Sequence, residues 1–465
     1  MKSYYVENYG IKANETELQT EKVQKLVDLC YKNGGGKIVF TEGTYVLSTI
    51  FLHDNIHIEV SQNATILGSL NFYDFAQQEE VNFPIYQDAS HTYFNLSLFV
   101  AKNCKNISFT GEGIIDMRSV WDEDGVRGEA IKHRGPKCIT LKECKNVLIS
   151  DLTIINVTDL AIYFTACKNV EVAYLKLKVY IDGISPDNSR DVYIHDCDVE
   201  TGDDGIVFKS SYNMNKIGYC KKITVENCKI KSRCNALKFG TETNGGFKKF
   251  KINNIQIRET RITGISIESV DGAVIKNINI KNVQMQNVNA PLFIHVGKRM
   301  RGPEGRKIGK IKKVKLENIL AKGPYEPYEI MPWNYFSYKQ NDTKQYPWIF
   351  GIAENFDDTK SGNTIDSDWQ MTSNICGLAE SPLRKIKLKN IHLGLHGGVT
   401  TFNENVPEEA QDYPEVFVYG RILPAKGIFF RHVKGLKLEN VSVSTDTEDK
   451  REPFVFRSVE KLKIK

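Results

Sequence analysis

A chain of 465 residues, 41% hydrophobic, 26% charged and 10% aromatic, has ordinary globular proportions and can bury a large core without covalent staples. Its apolar runs all fall short of the ~18 residues that a membrane-spanning helix needs. The 62 Lys+Arg against 57 Asp+Glu leave a net charge of only +5, with no basic block for a nucleic acid to read.

The N-terminus, MKSYYVENYG, has no apolar h-region and is not read as a signal peptide; a mature chain whose signal had been removed would look the same. Thr20 is the expected cap of a helix with an apolar stripe of Val23, Leu26, Val27 and Cys30, at helical spacing. Gly34-Gly35-Gly36 ends it, and KIVF and TYVLSTIFL follow as strands. Residues 1–50 thus form an N-terminal cap and the first strands of a single domain spanning 1–465. The ten cysteines include no CxxC pair and no Cys–His zinc spacing, so they read as buried thiols.

Further along, one short phrase recurs: apolar, polar, apolar, polar, Asn, apolar. It appears at Ile223, Phe250, Ile278, Val314, Ile386 and Leu436, with its Asn at 227, 254, 282, 318, 390 and 440. Earlier copies without the Asn start at Val147, Val170 and Val192, and the first steps between copies are 23, 22, 31, 27 and 28 residues. Short alternating strands at a period in the low twenties, with almost no helix, predict an all-β solenoid, a parallel β-helix. Its Asn residues are expected to stack at one corner, as are Cys104, Cys144 and Cys167 before equivalent strands. The helix closes the open hydrophobic end. From 322 to 382 the repeat lapses into an aromatic-rich excursion (Tyr325, Tyr328, Trp333, Trp348 and Trp369 among others), read either as packing on the coils or as the wall of a groove.

Aligning the copies also aligns a second column: Leu160, Asp182, Asp204, Asn235, Thr263. Equivalent positions on neighbouring coils lie about 4.8 Å apart, so Asp182 and Asp204 are expected as neighbours with Asp203 beside them. Like charges so placed destabilise a fold and raise at least one pKa, which keeps a proton available near neutral pH. A calcium site, with further oxygens from Asp187 or Glu200, and a solvated turn are the plainer readings. Carboxylate groups so paired are also the apparatus of glycoside hydrolysis, one acid protonating the leaving oxygen while another activates water or attacks the sugar.

On these residues the chain resembles glycoside hydrolase family 28, the polygalacturonase family of right-handed parallel β-helices. The cap, the GGGKIVF-TEGTYVL opening and the coils to about Lys298 carry the likeness, and the last third looks like a divergent bacterial branch. The family's Asn-Thr-Asp block keeps its Asp and the following Gly as Asp182-Gly183, and its Asp-Asp block is intact as Asp203-Asp204. The resemblance makes Asp204 the general acid and gives Asp182 and Asp203 the general-base role in a single inverting displacement. The later blocks depart. Gly-His-Gly is replaced by Cys234-Asn235-Ala236 and Arg-Ile-Lys by Ser266-Ile267-Glu268. In the family the Arg and Lys bind a uronate carboxylate, which Glu268 would repel, so the cleaved sugar is expected to differ, with a neutral one such as rhamnose or galactose in view. Asn235, Ser266 and Glu268 are the candidate substrate contacts. His295, Lys298 and Arg299, about one coil on, offer another route to positive charge.

The substrate expected is a pectin-related polysaccharide or oligosaccharide, with no metal and no organic cofactor, no nucleic acid, no membrane and a monomeric chain. Polymer glycans place such a protein in the periplasm or outside the cell. A β-helix lyase or epimerase and a non-catalytic carbohydrate-binding β-helix are the alternatives. The first conflicts with the acid trio, and the second with its survival beside rewritten specificity blocks.

Overall fold

Alternation of apolar and polar residues gives each short strand one face to bury, and stacking strands of the same pattern buries those faces coil on coil. The structure, a computed structural model, describes residues 1–86, 89–121, 134–323, 371–408 and 414–465. Among these it is a parallel β-helix with one α-helix, and it divides into two compact units: Met1–Thr201 with Ile206–Cys228, and Gly202–Gly205 with Lys229–Lys465. No helix among the described residues is long and apolar enough to cross a membrane.

In the first unit the helix spans Thr20–Lys32 and buries Val23, Leu26, Val27 and Cys30, the stripe read from the sequence. Thr20 is not its cap. Gln19 holds that position without a side-chain bond to the helix, and the Thr20 hydroxyl instead accepts from the Ser48 amide at 2.7 Å. Gly34 and Gly35, both at positive φ, turn the chain out of the helix. The phrase copies pair in parallel and in register, Val147 with Val170, Val170 with Val192, and Val192 with Ile223. Cys104, Cys144 and Cys167 stack before these strands, the Cys144 amide donating to the Cys167 sulfur at 3.3 Å. All ten cysteines are free and buried.

In the second unit Phe250, Ile278, Val314, Ile386 and Leu436 form one continuous register. The phrase Asn residues sit at left-handed φ, from 51° to 56°, a conformation Asn tolerates better than other residues with a Cβ. Their side chains form a ladder: Asn318 donates to Asn282 at 2.9 Å, Asn390 to Asn318 at 3.0 Å and Asn440 to Asn390 at 3.2 Å. A second left-handed column, just before each phrase, is less visible in sequence because Lys222, Lys249, Asn277, Lys313 and Lys385 share it. The lapse in the repeat ends sooner than Pro382, since Ser373–Cys376 already pairs with Phe293–His295 and with Ile428–Arg431. The aromatic residues of the excursion lie outside the described residues.

Candidate active site

Asp182 belongs to the first unit. Its carboxylate lies 3.2 Å from the Lys209 ammonium, and both side chains are buried. Ile184 pairs with Ile206, and Asp182 and Asp204 each stand two residues before that pair, which is the column alignment read from the repeat. Asp187, one of the oxygens proposed for calcium, accepts from the Tyr163 hydroxyl (2.8 Å), the Ser211 amide (2.9 Å) and the Asn213 amide nitrogen (2.5 Å). Protein donors therefore engage both of its oxygens. His195 stacks on Tyr193 and bonds Asp196 and Glu171, which occupies both of its ring nitrogens.

The second unit holds the denser cluster. Asp203 and Asp204 lie on the turn Gly202–Gly205, tied down by the Ser232 hydroxyl donating to the Asp203 carbonyl (2.6 Å) and the Gly205 amide donating to the Asn235 carbonyl (2.8 Å). A Cβ at Gly205 would come within 2.6 Å of the Ala236 carbonyl oxygen. The turn can therefore close onto the next coil only with glycine there. Asp203 is half-buried and Asp204 is 5% exposed. One Asp204 oxygen accepts from the Asn235 backbone amide (3.3 Å) and side-chain amide (2.8 Å); the other lies 3.4 Å from the Lys238 ammonium. Lys238 donates to Glu415 at 2.5 Å and lies 4.0 Å from Glu268, which accepts from the Ser266 hydroxyl. Asn235 also reaches Glu415, at 3.3 Å. Strand register explains the assembly: Asn235 pairs with Thr263 and Lys238 with Ser266, one coil apart.

One buried ammonium thus faces the carboxyls of Asp204, Glu268 and Glu415. Burial pushes the Glu268 pKa well above the usual carboxyl range; Lys238 only partly opposes this and Glu415 adds to it. Burial also raises Glu415, against the pull of Lys238. The Cys234 thiol is likewise pushed up, by burial first and then by Asp203, Asp204 and Glu415, so it is not a thiolate nucleophile.

Asn235, Ser266 and Glu268 therefore gather around Asp204. The other three candidates are engaged elsewhere. His295 pairs with Glu268 one coil on but is buried beneath Tyr419, and burial, with Arg431 nearby, lowers its pKa to about 3. It is neutral and adds no positive charge. Arg299 makes an ion pair with Asp271 and donates to the Thr241 carbonyl, and Lys298 pairs with Glu380. The cation beside Glu268 is Lys238, which sequence reasoning passed over within LKFGTE although the repeat alignment puts it in one column with Ser266. Lys209 was overlooked too. Glu415 carried no signal, since it joins Asn235 across 180 residues of sequence from outside the repeat.

A buried carboxyl held by an amide and an ammonium, beside a half-buried second carboxyl on the same turn, is an arrangement that acid–base chemistry can use. The model of glycosyl hydrolases family 28 matches residues 51–324, more than half of the chain, and the protein belongs to that family. It is 23% identical over 341 residues to an exo-poly-α-D-galacturonosidase of Dickeya chrysanthemi, covering 61% of this chain and 56% of that one. It is 23% identical over 300 residues to a probable polygalacturonase of Vitis vinifera, covering 60% of each. The chain thus spans less than two thirds of the length of these relatives. Among solved structures, a hyperthermoactive exopolygalacturonase of Thermotoga maritima superposes with a TM-score of 0.68 at 17% identity, over 95% of this chain and 92% of the other. A family 28 exopolygalacturonase of Yersinia enterocolitica gives the same score and identity over 99% of this chain and 78% of its own. At that identity these structures speak for the fold alone.

Proposed function

We propose that the protein hydrolyses a glycosidic bond in a pectin-related polysaccharide or oligosaccharide, with inversion. Asp204 acts as general acid, and Asp203, together with Asp182, acts as the base that activates water. The observation that carries this reading is the Asp204 carboxyl itself, 5% exposed and oriented by two Asn235 donors. Asn235 fixes its direction, the geometric property a proton donor to a leaving oxygen needs. Asp203, half-buried on the same turn, keeps access to water. Inversion is carried over from the family. A polymer substrate sets the protein outside the cytoplasm, in the periplasm or beyond the cell, and fractionation of its native host would test that.

The deciding experiment digests a panel of pectic and non-pectic glycans with wild type and Asp204→Asn side by side, resolving products by chromatography and anomers by NMR. Saturated products from wild type alone, first appearing as the inverted anomer, support the proposal. Unsaturated products would point to a lyase, and binding without products from either protein would point to a carbohydrate-binding β-helix.

A further inference from the structure

The polar atoms around Asp204 are unequally satisfied. Asn235 Oδ1, Glu268 Oε2 and Glu415 Oε2 are buried and have no hydrogen-bond partner among the described residues. Buried polar groups are normally paired, so unpaired ones call for an explanation. Asn235 Oδ1 is always an acceptor, and each of the two carboxyl oxygens accepts unless it carries the proton. The one cation among them, Lys238, already faces Glu415, Asp204 and Glu268. A sugar close enough to Asp204 to receive its proton, within about 3 Å, falls inside the field of this cluster.

Resting on the hydrolase reading, we propose that Glu415 is a specificity-determining residue of the cleavage subsite. By neutralising Lys238 within the protein, and by adding an acceptor beside Asn235 and Glu268, it suits the subsite to a sugar that presents hydroxyl donors and sets it against one that presents a carboxylate. A hydroxymethyl group can donate to these acceptors. A carboxylate cannot, and the ammonium of this cluster, Lys238, is already engaged by Glu415. Glu268, held toward its neutral form by burial, does little to repel a uronate, so acceptance turns on whether Lys238 is free. Glu415 is what keeps it engaged.

Two ligands that differ only at C6 read this directly: α-1,4-linked digalacturonate and α-1,4-galactobiose. Their dissociation constants are measured by calorimetry on wild type, Glu415→Gln and the double variant Lys238→Met/Glu415→Gln. Wild type should bind the neutral disaccharide at least tenfold more tightly. Glu415→Gln, which keeps the side chain's shape, should shift the ratio at least tenfold toward the uronate, and the double variant should lose that gain. An unchanged ratio in Glu415→Gln, a wild-type preference for the uronate, or no binding of either ligand overturns the proposal. If Glu415→Gln fails to fold, Glu415→Asp, whose shorter side chain draws the carboxylate back from Lys238, should shift the ratio in the same direction; an unchanged ratio there counts equally against it. The binding readout is independent of turnover: a shifted ratio in a protein that cleaves no glycan would leave this inference standing and defeat the hydrolase reading.

Discussion

Two columns of side chains run from coil to coil in the second unit, and they differ in kind. The Asn column repeats one neutral residue, bonded coil to coil from Asn282 to Asn440 and in the left-handed conformation throughout. The column through Asp204, Asn235 and Thr263, with Lys238 and Ser266 three residues on, changes residue at every coil and buries charge. A solenoid needs only that each coil fit its neighbours. Repetition of one satisfied side chain meets that need at little cost, whereas a buried ammonium among carboxyls is expensive to desolvate. Monotony along a column therefore marks structure, and costly variety marks chemistry.

The comparison is broken most forcefully at Asp204. Asp204→Asn removes the transferable proton while nearly keeping shape, although its one amide oxygen can serve Asn235 or Lys238 and not both. Initial rates on the active glycan should fall by about 10²–10⁴-fold, the usual share of general acid–base catalysis, with circular dichroism showing the fold intact. A loss of less than about tenfold would assign the acid elsewhere. Next in size is Lys238→Met, which leaves the Asp204 and Glu415 carboxyls buried without their cation. Removing one partner of a buried ion pair costs about 3–5 kcal/mol, to be read from urea unfolding midpoints. A cost below about 1 kcal/mol would show that the ammonium is not what holds the cluster.

The same contrast governs what the sequence revealed. The phrase at Val147 through Leu436 was legible because burial imposes period two on each strand and stacking imposes register on successive coils. The Asp204–Asn235–Thr263 alignment followed from that register. Lys238 was within reach of the alignment, but a lysine among apolar residues reads as an exposed position until burial is known. Glu415 was out of reach, since neither period nor motif ties it to Asn235. The cap of the helix was misjudged for a local reason: Thr20 is a good capping residue, yet its hydroxyl serves Ser48 on a distant strand.

A subtler test sharpens the energetic half of the contrast. Because burial raises the Glu268 pKa above its ordinary value of 4.5, the folded state binds a proton more tightly there than the unfolded chain does. Below pH 4.5 both states are protonated and the linkage is silent. As pH rises above it, the unfolded state releases the proton first and gains on the folded state. Glu268→Gln, which has nothing to release, should therefore melt above wild type at neutral pH, with the gap closing on acidification. A gap that does not vary with pH would mean the residue acts through packing or its Ser266 bond alone.

The smallest effect belongs to the monotonous column. Asn318 donates to Asn282 and accepts from Asn390, at φ 54°. Asn318→Ala removes both bonds and leaves a Cβ residue in the left-handed region without local support. The cost should be about 1–2 kcal/mol. Asn318→Gly also loses the bonds but is at ease at that φ, and should cost less. Urea midpoints for the pair separate the two contributions, since their difference reports the backbone conformation and what remains in the glycine variant reports the ladder. Turnover should stay within about twofold of wild type in both, because no charge moves and the strand registers that set Asn235 and Lys238 are carried by other residues. A large loss of activity at Asn318 would erase the distinction between the columns, because it would give the ladder a part in the chemistry that its uniformity argues against.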